Sequence, residues 1–128
     1  MRISQELTKG TTAMLVLGVI SRQELYGYRI IKEIERQSGQ IFSLREGTLY
    51  PILHAMEQDG LLDCRWEHTE SARKRKYYRI TRKGQRELSR LRAEWKAYAS
   101  MVEKIVDGES ASREEAGLGS REQSLGIW

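Results

Sequence analysis

The spacing of apolar residues changes abruptly after Gly60. Before Gly60, apolar residues recur at intervals of three and four, which is the period of a helix that buries one face. These residues are Leu49, Ile52, Leu53 and Met56. After Gly60, apolar and polar residues alternate over Leu62–Glu67, and a polar turn leads into a second strand-like run, Lys76–Ile80. The pattern therefore predicts a helix that is followed directly by a β-hairpin.

Two further helices are predicted before this one. The first, about Gln5 to Ile20, is apolar on nearly all sides in its second half, which indicates burial from more than one side. The second, about Gly27 to Gln37, has an apolar stripe and is followed by Gly39 in the position of a C-terminal cap. With the third helix, Arg45 to Gln58, the order α-α-α-β-β is that of a winged helix-turn-helix. We therefore expect a mainly α fold with this domain over residues 1–82.

The start of the third helix can be interpreted in two ways. Ser43 and Glu46 have the spacing of a capping box, but a helix that begins there has Pro51 in its interior, where the ring meets the carbonyl of Gly47. If Thr48 is the N-cap instead, Pro51 is the third helical residue and its missing N–H costs nothing. We expect either a late start or a kink.

One long helix is predicted from the N-cap Thr81 to Asp107. Its apolar residues form a heptad seam of only about two and a half heptads, which is too short for an isolated coiled coil. The seam residues are Leu88, Leu91, Trp95, Tyr98, Val102 and Ile105. We expect residues 83–107 to be a dimerisation helix that packs against a partner subunit and the first helix, the alternative being that it lies on its own domain. Residues 108–128 show no sustained period, so a flexible tail is predicted there.

Basic residues are concentrated in one part of the chain. The net charge is +4, and eight Lys or Arg residues occur from Arg73 to Arg86 with no acidic residue among them. Such a block, interleaved with aromatic residues, suits a polyphosphate partner, because each neutralised phosphate releases counterions. The alternative is an ordinary solvated face.

Membrane and secreted proteins do not fit the sequence. The longest apolar run, Ala13–Ile20, has eight residues, far fewer than the roughly 20 that cross a bilayer. The N-terminus lacks the pattern of a signal peptide, and the single Cys64 fits a reducing compartment. We expect a cytoplasmic protein.

Residues that could support catalysis are not arranged for it. His54, His68 and Cys64 do not have the spacing of metal ligands, and no Gly-rich phosphate loop follows a strand. We expect no enzymatic activity, no cofactor and no metal.

Three segments resemble one family of proteins. The stretch Gly47–Leu62, which begins Gly-Thr-Leu-Tyr-Pro, is similar to the signature of the PadR family of bacterial transcription factors, where it opens the recognition helix. Tyr26–Tyr28 and Arg75–Thr81, with Gly84, also agree with the family. The resemblance covers about Leu7 to Val106, and the single terminal helix resembles the short-tailed branch. It implies a homodimer that binds a double-stranded DNA operator.

The recognition helix must turn its non-core face to DNA. The hydroxyls of Thr48 and Tyr50 can donate to phosphates, and His54 can reach a base edge or a phosphate. Pro51 or Ala55 can contact a thymine methyl. Alternatively, Tyr50 packs against the second helix and His54 is a surface residue without a role. Tyr28 is added by resemblance, and the basic side chains of the wing suit phosphates or the adjacent minor groove. The predicted DNA-binding residues are Tyr28, Thr48, Tyr50, Pro51, His54, Arg73, Lys74, Arg75 and Lys76.

Trp95 carries an expectation of its own. In the multidrug-sensing members that the chain resembles, a Trp at this place faces its symmetry mate and sandwiches flat aromatic drugs. By the same resemblance, Met14 and Leu17 would line that chamber with Trp95. The alternative is that Trp95 only fills the seam.

The combined prediction is a DNA-binding repressor. It is expected to bind a pseudo-palindromic operator as a homodimer and to be released by a small aromatic effector. The alternative is a protein-interaction adaptor that uses the C-terminal helix.

Overall fold

The computed structural model describes residues 1, 3–71 and 73–108. The fold is mainly helical with a small antiparallel sheet and a long last helix, which confirms the predicted winged helix-turn-helix class. The chain divides into two compact units between Leu91 and Arg92. The helices and strands within the described residues are α1 (Gln5–Thr8), α2 (Thr12–Ile20), β1 (Leu25–Tyr26), α3 (Gly27–Gln37), α4 (Glu46–Gln58), β2 (Leu62–His68), β3 (Lys74–Ile80) and α5 (Arg82–Asp107).

The predicted first helix is two helices, so the expectation of one continuous helix is wrong. The Thr8 carbonyl accepts hydrogen bonds from the Thr11 N–H at 3.0 Å and from the Thr12 hydroxyl at 3.0 Å. The Thr11 hydroxyl donates to the same carbonyl at 3.2 Å. Because these bonds compete with the helical pattern, the backbone turns next to Gly10 before α2 begins. The second half is buried as predicted, through Val16, Leu17, Val19 and Ile20.

Helix α4 begins earlier than the late-start alternative requires. Its first residue is Glu46, and Arg45 occupies the N-cap without a side-chain cap bond. The predicted capping box is absent, because the Ser43 hydroxyl donates to the Glu35 carboxylate at 3.2 Å instead. Pro51 is therefore the sixth residue of the helix. It cannot donate to the carbonyl of Gly47, but Gly47 is exposed, so water can satisfy that carbonyl.

The sheet has three strands rather than the two that were predicted. Their order is β1-β3-β2, so β3 is the central strand. Strand β1 pairs Leu25 with Tyr78 and Tyr26 with Tyr77. The two-residue strand is too short to show a period in the sequence, yet it joins the start of α3 to the wing, which is the hairpin β2–β3. Helix α3 itself has the predicted bounds, and Gly39 has the positive φ of 64° that ends it.

The core of residues 1–91 lies between α2, α3, α4 and the inner side of the sheet. Burial of each large aliphatic side chain contributes about 1.5–3 kcal/mol. The fully buried residues are Val16, Leu17, Ile20, Ile30, Leu49, Leu53 and Leu62.

The first turns of α5 complete this core. Thr81 is the N-cap as predicted, because its hydroxyl oxygen accepts from the Gly84 N–H at 2.9 Å. Leu88 is buried in the core and Leu91 is half-buried against it. Leu88 and Leu91 therefore pack on their own domain within one chain, as the alternative interpretation of the seam expects.

The second half of α5 presents apolar side chains to solvent. Val102 is half-buried, and five large apolar residues are exposed. These are Trp95, Tyr98, Met101, Ile105 and Val106. Of the predicted tail, residues 109–128 lie outside the described residues. In the described part of the chain, no helix combines the length and apolar character needed to cross a membrane.

Candidate nucleic-acid interface

An open groove of about 850 Å³ lies between the first turn of α3, helix α4 and the wing. Its walls combine aromatic rings with basic side chains, and none of the described residues that line it is acidic. Six of the nine predicted DNA-binding residues meet here, whereas Thr48, Pro51 and His54 do not line the groove. The six residues are Tyr28, Tyr50, Arg73, Lys74, Arg75 and Lys76.

Tyr50 forms the wall on the side of α4. A Cβ atom on residue 27 would overlap the Tyr50 hydroxyl and lie 2.8 Å from its Cζ, so the glycine at the start of α3 is what lets this ring approach. The geometry supports the alternative that Tyr50 packs against α3. Its side chain is nevertheless 46% exposed, so one side of the ring remains open to the groove.

The outward face of α4 has the predicted composition. Thr48, Pro51 and His54 are exposed, while Leu49 and Leu53 are fully buried on the opposite side. Tyr50 lines the groove, and His54 lies next to it on the helix surface because the two are four residues apart. The exposed face of α4 is therefore continuous with the groove.

Aromatic stacking orders the side of the groove near α3. The rings of Tyr26 and Tyr28 stack with centroids 6.4 Å apart, and the Arg75 guanidinium lies 4.1 Å from the Tyr26 centroid. A stacked guanidinium keeps its N–H edges available for an anion. The Lys32 Nζ lies 5.4 Å from the centroid of the Tyr28 ring.

Lys76 has a partner inside the protein. Its Nζ is 2.9 Å from Glu57 Oε1, near the end of α4, and its side chain is only 28% exposed. The Cys64 thiol donates to the other oxygen of Glu57 at 3.0 Å. This hydrogen bond and the one from Lys76 lower the pKa of Glu57, and the bond to Glu57 raises the pKa of Cys64. Unlike Lys76, the side chains of Arg73 and Lys74 are exposed and form no ion pair within the described residues.

The residues expected around an effector are placed differently from one another. Trp95 is exposed on α5, whereas Met14 is half-buried against the core. Leu17 is fully buried in that core, with 0% exposure, so it presents no surface to a ligand. Among the described residues, no three His, Cys, Asp or Glu side chains form a group that could hold a metal ion.

Trp66 is one of the groove residues that sequence reasoning missed, and Tyr26, which stacks with Arg75, is another. The alternation predicts Trp66 on the same side of β2 as Leu62 and Cys64, and the register agrees, because Trp66 pairs with Lys76 and Cys64 pairs with Tyr78. At Trp66, however, the strand has left the core, and the side chain is 59% exposed in the groove. The position of Trp66 near the hairpin tip was the only signal for this exposure.

Helices α3 and α4, with the wing beside α4 and a basic groove between the wing and the two helices, define a winged helix-turn-helix domain. Domains of this class occur in transcription regulators. The family model described as the transcriptional regulator PadR-like family matches residues 16–90. The chain belongs to this family, whose members are regulators rather than enzymes.

Solved structures and a curated relative agree with this assignment. A PadR family regulator from Eggerthella lenta is 36% identical, with a TM-score of 0.72, and the match covers 79% of this chain and 86% of that one. A transcriptional regulator from Clostridium thermocellum is 27% identical, with a TM-score of 0.75 and coverage of 81% and 98%. A transcriptional regulator of Mycobacterium tuberculosis is 27% identical over 83% of this chain and 92% of its own length.

Proposed function

We propose that the protein is a repressor that binds a pseudo-palindromic operator as a homodimer. The observation that carries the proposal is the groove between α3, α4 and the wing, whose described lining is basic and aromatic without a carboxylate. Two such domains related by a two-fold axis would bind half-sites about one helical turn, or ~34–36 Å, apart. A regulator of this kind works where the DNA is, so the proposal includes a cytoplasmic location.

The proposed contacts divide into two groups. On the outward face of α4, the exposed Pro51 and His54 would contact base edges, and the exposed Thr48 would donate its hydroxyl to a phosphate. The hydroxyls of Tyr28 and Tyr50 and the cations of the wing would contact phosphates, which fix the position of the protein without reading the sequence. The cations assigned to phosphates are Arg73, Lys74 and Arg75, while Lys76 has a positioning role through Glu57.

The proposed dimer uses the second half of α5. Five large apolar side chains are exposed there, and contiguous apolar surface of this kind marks an interaction site. The proposal keeps residues 1–82 as the DNA-binding domain and 83–107 as the dimerisation helix. Within the helix, it assigns the seam to Trp95, Tyr98, Val102 and Ile105.

The wing can be tested through the salt dependence of DNA binding. The slope of log affinity against log salt is negative, and replacing the exposed Lys74 with Ala should reduce its magnitude by about 0.9 for each lost phosphate contact, hence about 1.8 for the two wings of a dimer. Lys76→Ala should change the slope less, because Glu57 already neutralises that charge. Fluorescence anisotropy of a labelled duplex over a range of salt concentrations measures both slopes.

Lys104→Ala is the matched control, because it removes the same charge from a residue that is not in the described lining of the groove. Its slope should equal that of the native protein. A native slope in Lys74→Ala would remove Lys74 from the contact surface. If the native protein prefers no duplex sequence at physiological salt, the adaptor interpretation replaces the operator.

Release by a flat aromatic effector is the part of the proposal that rests on Trp95. The indole is exposed on α5, and two of them facing each other across a dimer axis could hold a planar guest by offset stacking. We expect that a planar aromatic compound which releases the duplex from the native protein will not release it from Trp95→Ala. Titration of such compounds against the protein–duplex complex measures this. Equal release from both proteins would place the effector elsewhere.

A further inference from the structure

Trp66 is a large apolar side chain that contributes little to the core. Its side chain is 59% exposed and lies on the wing wall of the groove, which Tyr50 also lines. An exposed indole in a basic groove is typical of a contact surface rather than of a fold requirement.

The neighbours of Trp66 hold it in place. Lys76 pairs with it across the ladder, and the Lys76 Nζ lies 5.6 Å from the centroid of the indole. That Nζ is itself fixed by Glu57 of α4 at 2.9 Å. The indole therefore has a cation behind it that is tied to the recognition helix, so Trp66 forms a preorganised wall.

The charge of the groove determines what can occupy it. Arg73, Lys74 and Arg75 supply positive charge, and no acidic residue occurs in the described lining. The occupant must therefore be an anion that also has apolar surface against which an indole can pack. A DNA strand meets both conditions, because its phosphates alternate with deoxyribose rings.

We propose that Trp66 contacts the backbone of one DNA strand, with its ring against a deoxyribose and its indole N–H donating to a phosphate oxygen. The inference rests on the proposed DNA binding and adds to it a contact residue on β2. Because the contact is to the backbone, it does not depend on base sequence. Trp66 therefore contributes to affinity and to the position of the wing, and not to the choice among operators.

The test uses the full chain labelled with 5-fluorotryptophan. The three Trp residues give three fluorine resonances, and the loss of one in Trp66→Phe assigns Trp66. The probe is a mixed-sequence duplex of about three helical turns, ~30 base pairs, at low ionic strength. We expect the Trp66 resonance to shift on addition of the duplex and to return when high salt releases it.

Affinity gives a second measurement. Trp66→Ala should bind the mixed duplex about tenfold more weakly for each contacting wing, as truncation of a central aromatic contact does. Trp66→Phe should lose less affinity than Trp66→Ala, because phenylalanine keeps an apolar ring but lacks the indole N–H. Both variants should melt within a few degrees of the native protein, because the side chain is mostly exposed.

The outcomes separate this inference from the proposed function. If anisotropy shows duplex binding while the Trp66 resonance does not move and Trp66→Ala binds as the native protein does, the Trp66 contact is wrong and DNA binding stands. If the native protein binds no duplex even at low salt, the proposed function fails and the inference fails with it. If benzoate moves the resonance and the duplex does not, the groove takes a small aromatic anion, which also overturns the inference.

Discussion

The double variant Tyr98→Asp, Ile105→Asp is expected to sediment as a monomer and to bind an operator-length duplex about 10²–10⁴-fold more weakly than the native protein, since the second half-site no longer adds to the first. Both side chains are exposed in the single chain, at 58% and 71%, so the substitutions leave the core intact. In a dimer, each carboxylate would enter an apolar seam, where an unpaired charge is costly. Analytical ultracentrifugation at micromolar concentration, with anisotropy on the same samples, measures both effects.

The control for this variant adds the same charges on the opposite side of the helix. Ala93→Asp with Ser100→Asp places two carboxylates at exposed positions about two turns apart and opposite the seam, so this protein should remain a dimer. Leu91 is unsuitable for the test, because it is half-buried against the core of its own unit and a charge there would destabilise the fold. A native protein that sediments as a monomer would refute the proposed dimer, as would a seam variant that remains dimeric.

Gly84→Ala is expected to destabilise the protein by about 1–3 kcal/mol, with the upper end favoured. A Cβ at this position would overlap the carbonyl oxygen of Leu61 and lie 2.7 Å from Cγ1 of Ile80. The Leu61 carbonyl accepts hydrogen bonds from the N–H and the hydroxyl of Thr81, at 3.0 and 3.1 Å, so displacing it also disturbs the cap of α5. Urea denaturation with an unchanged m-value measures the loss.

Gly47→Ala is the matched control for Gly84→Ala. Gly47 is also helical, but nothing lies within 4 Å of where its Cβ would be, and the residue is exposed. Alanine should therefore stabilise the protein by about 0.5–1 kcal/mol, as it does in an open helix. A loss below ~0.5 kcal/mol in Gly84→Ala, the size of an ordinary surface effect, would show that α5 can move away from Leu61 at little cost.

The sequence predicted correctly those features that depend on residues within one helix. The bounds of α3, the buried face of α4 and the cap at Thr81 all follow from local periodicity and capping chemistry. These signals are carried by residues within one or two turns of each other, so they survive in the final structure.

Several features depended on partners that the sequence does not bring together. The break after Thr8 depends on which of several donors captures one carbonyl. Lys76 was assigned to DNA as part of the basic wing, and its partner Glu57, 19 residues away in the sequence, gave no local signal. Leu17 was assigned to a ligand chamber by the family resemblance, which did not give the depth at which this residue is buried. The family resemblance supplied the motif and did not supply these contacts.

The central position of β3 has a consequence for exchanging parts between regulators. Because β3 pairs with β1 on one edge and β2 on the other, the wing is completed by Leu25 and Tyr26, which come from a segment far upstream of the hairpin. A chimera that receives only the hairpin of another protein would inherit a strand whose register and side chains were selected against a different β1. Transplanting the wing therefore requires two separate pieces of chain, residues 25–26 and 62–80, to be replaced together.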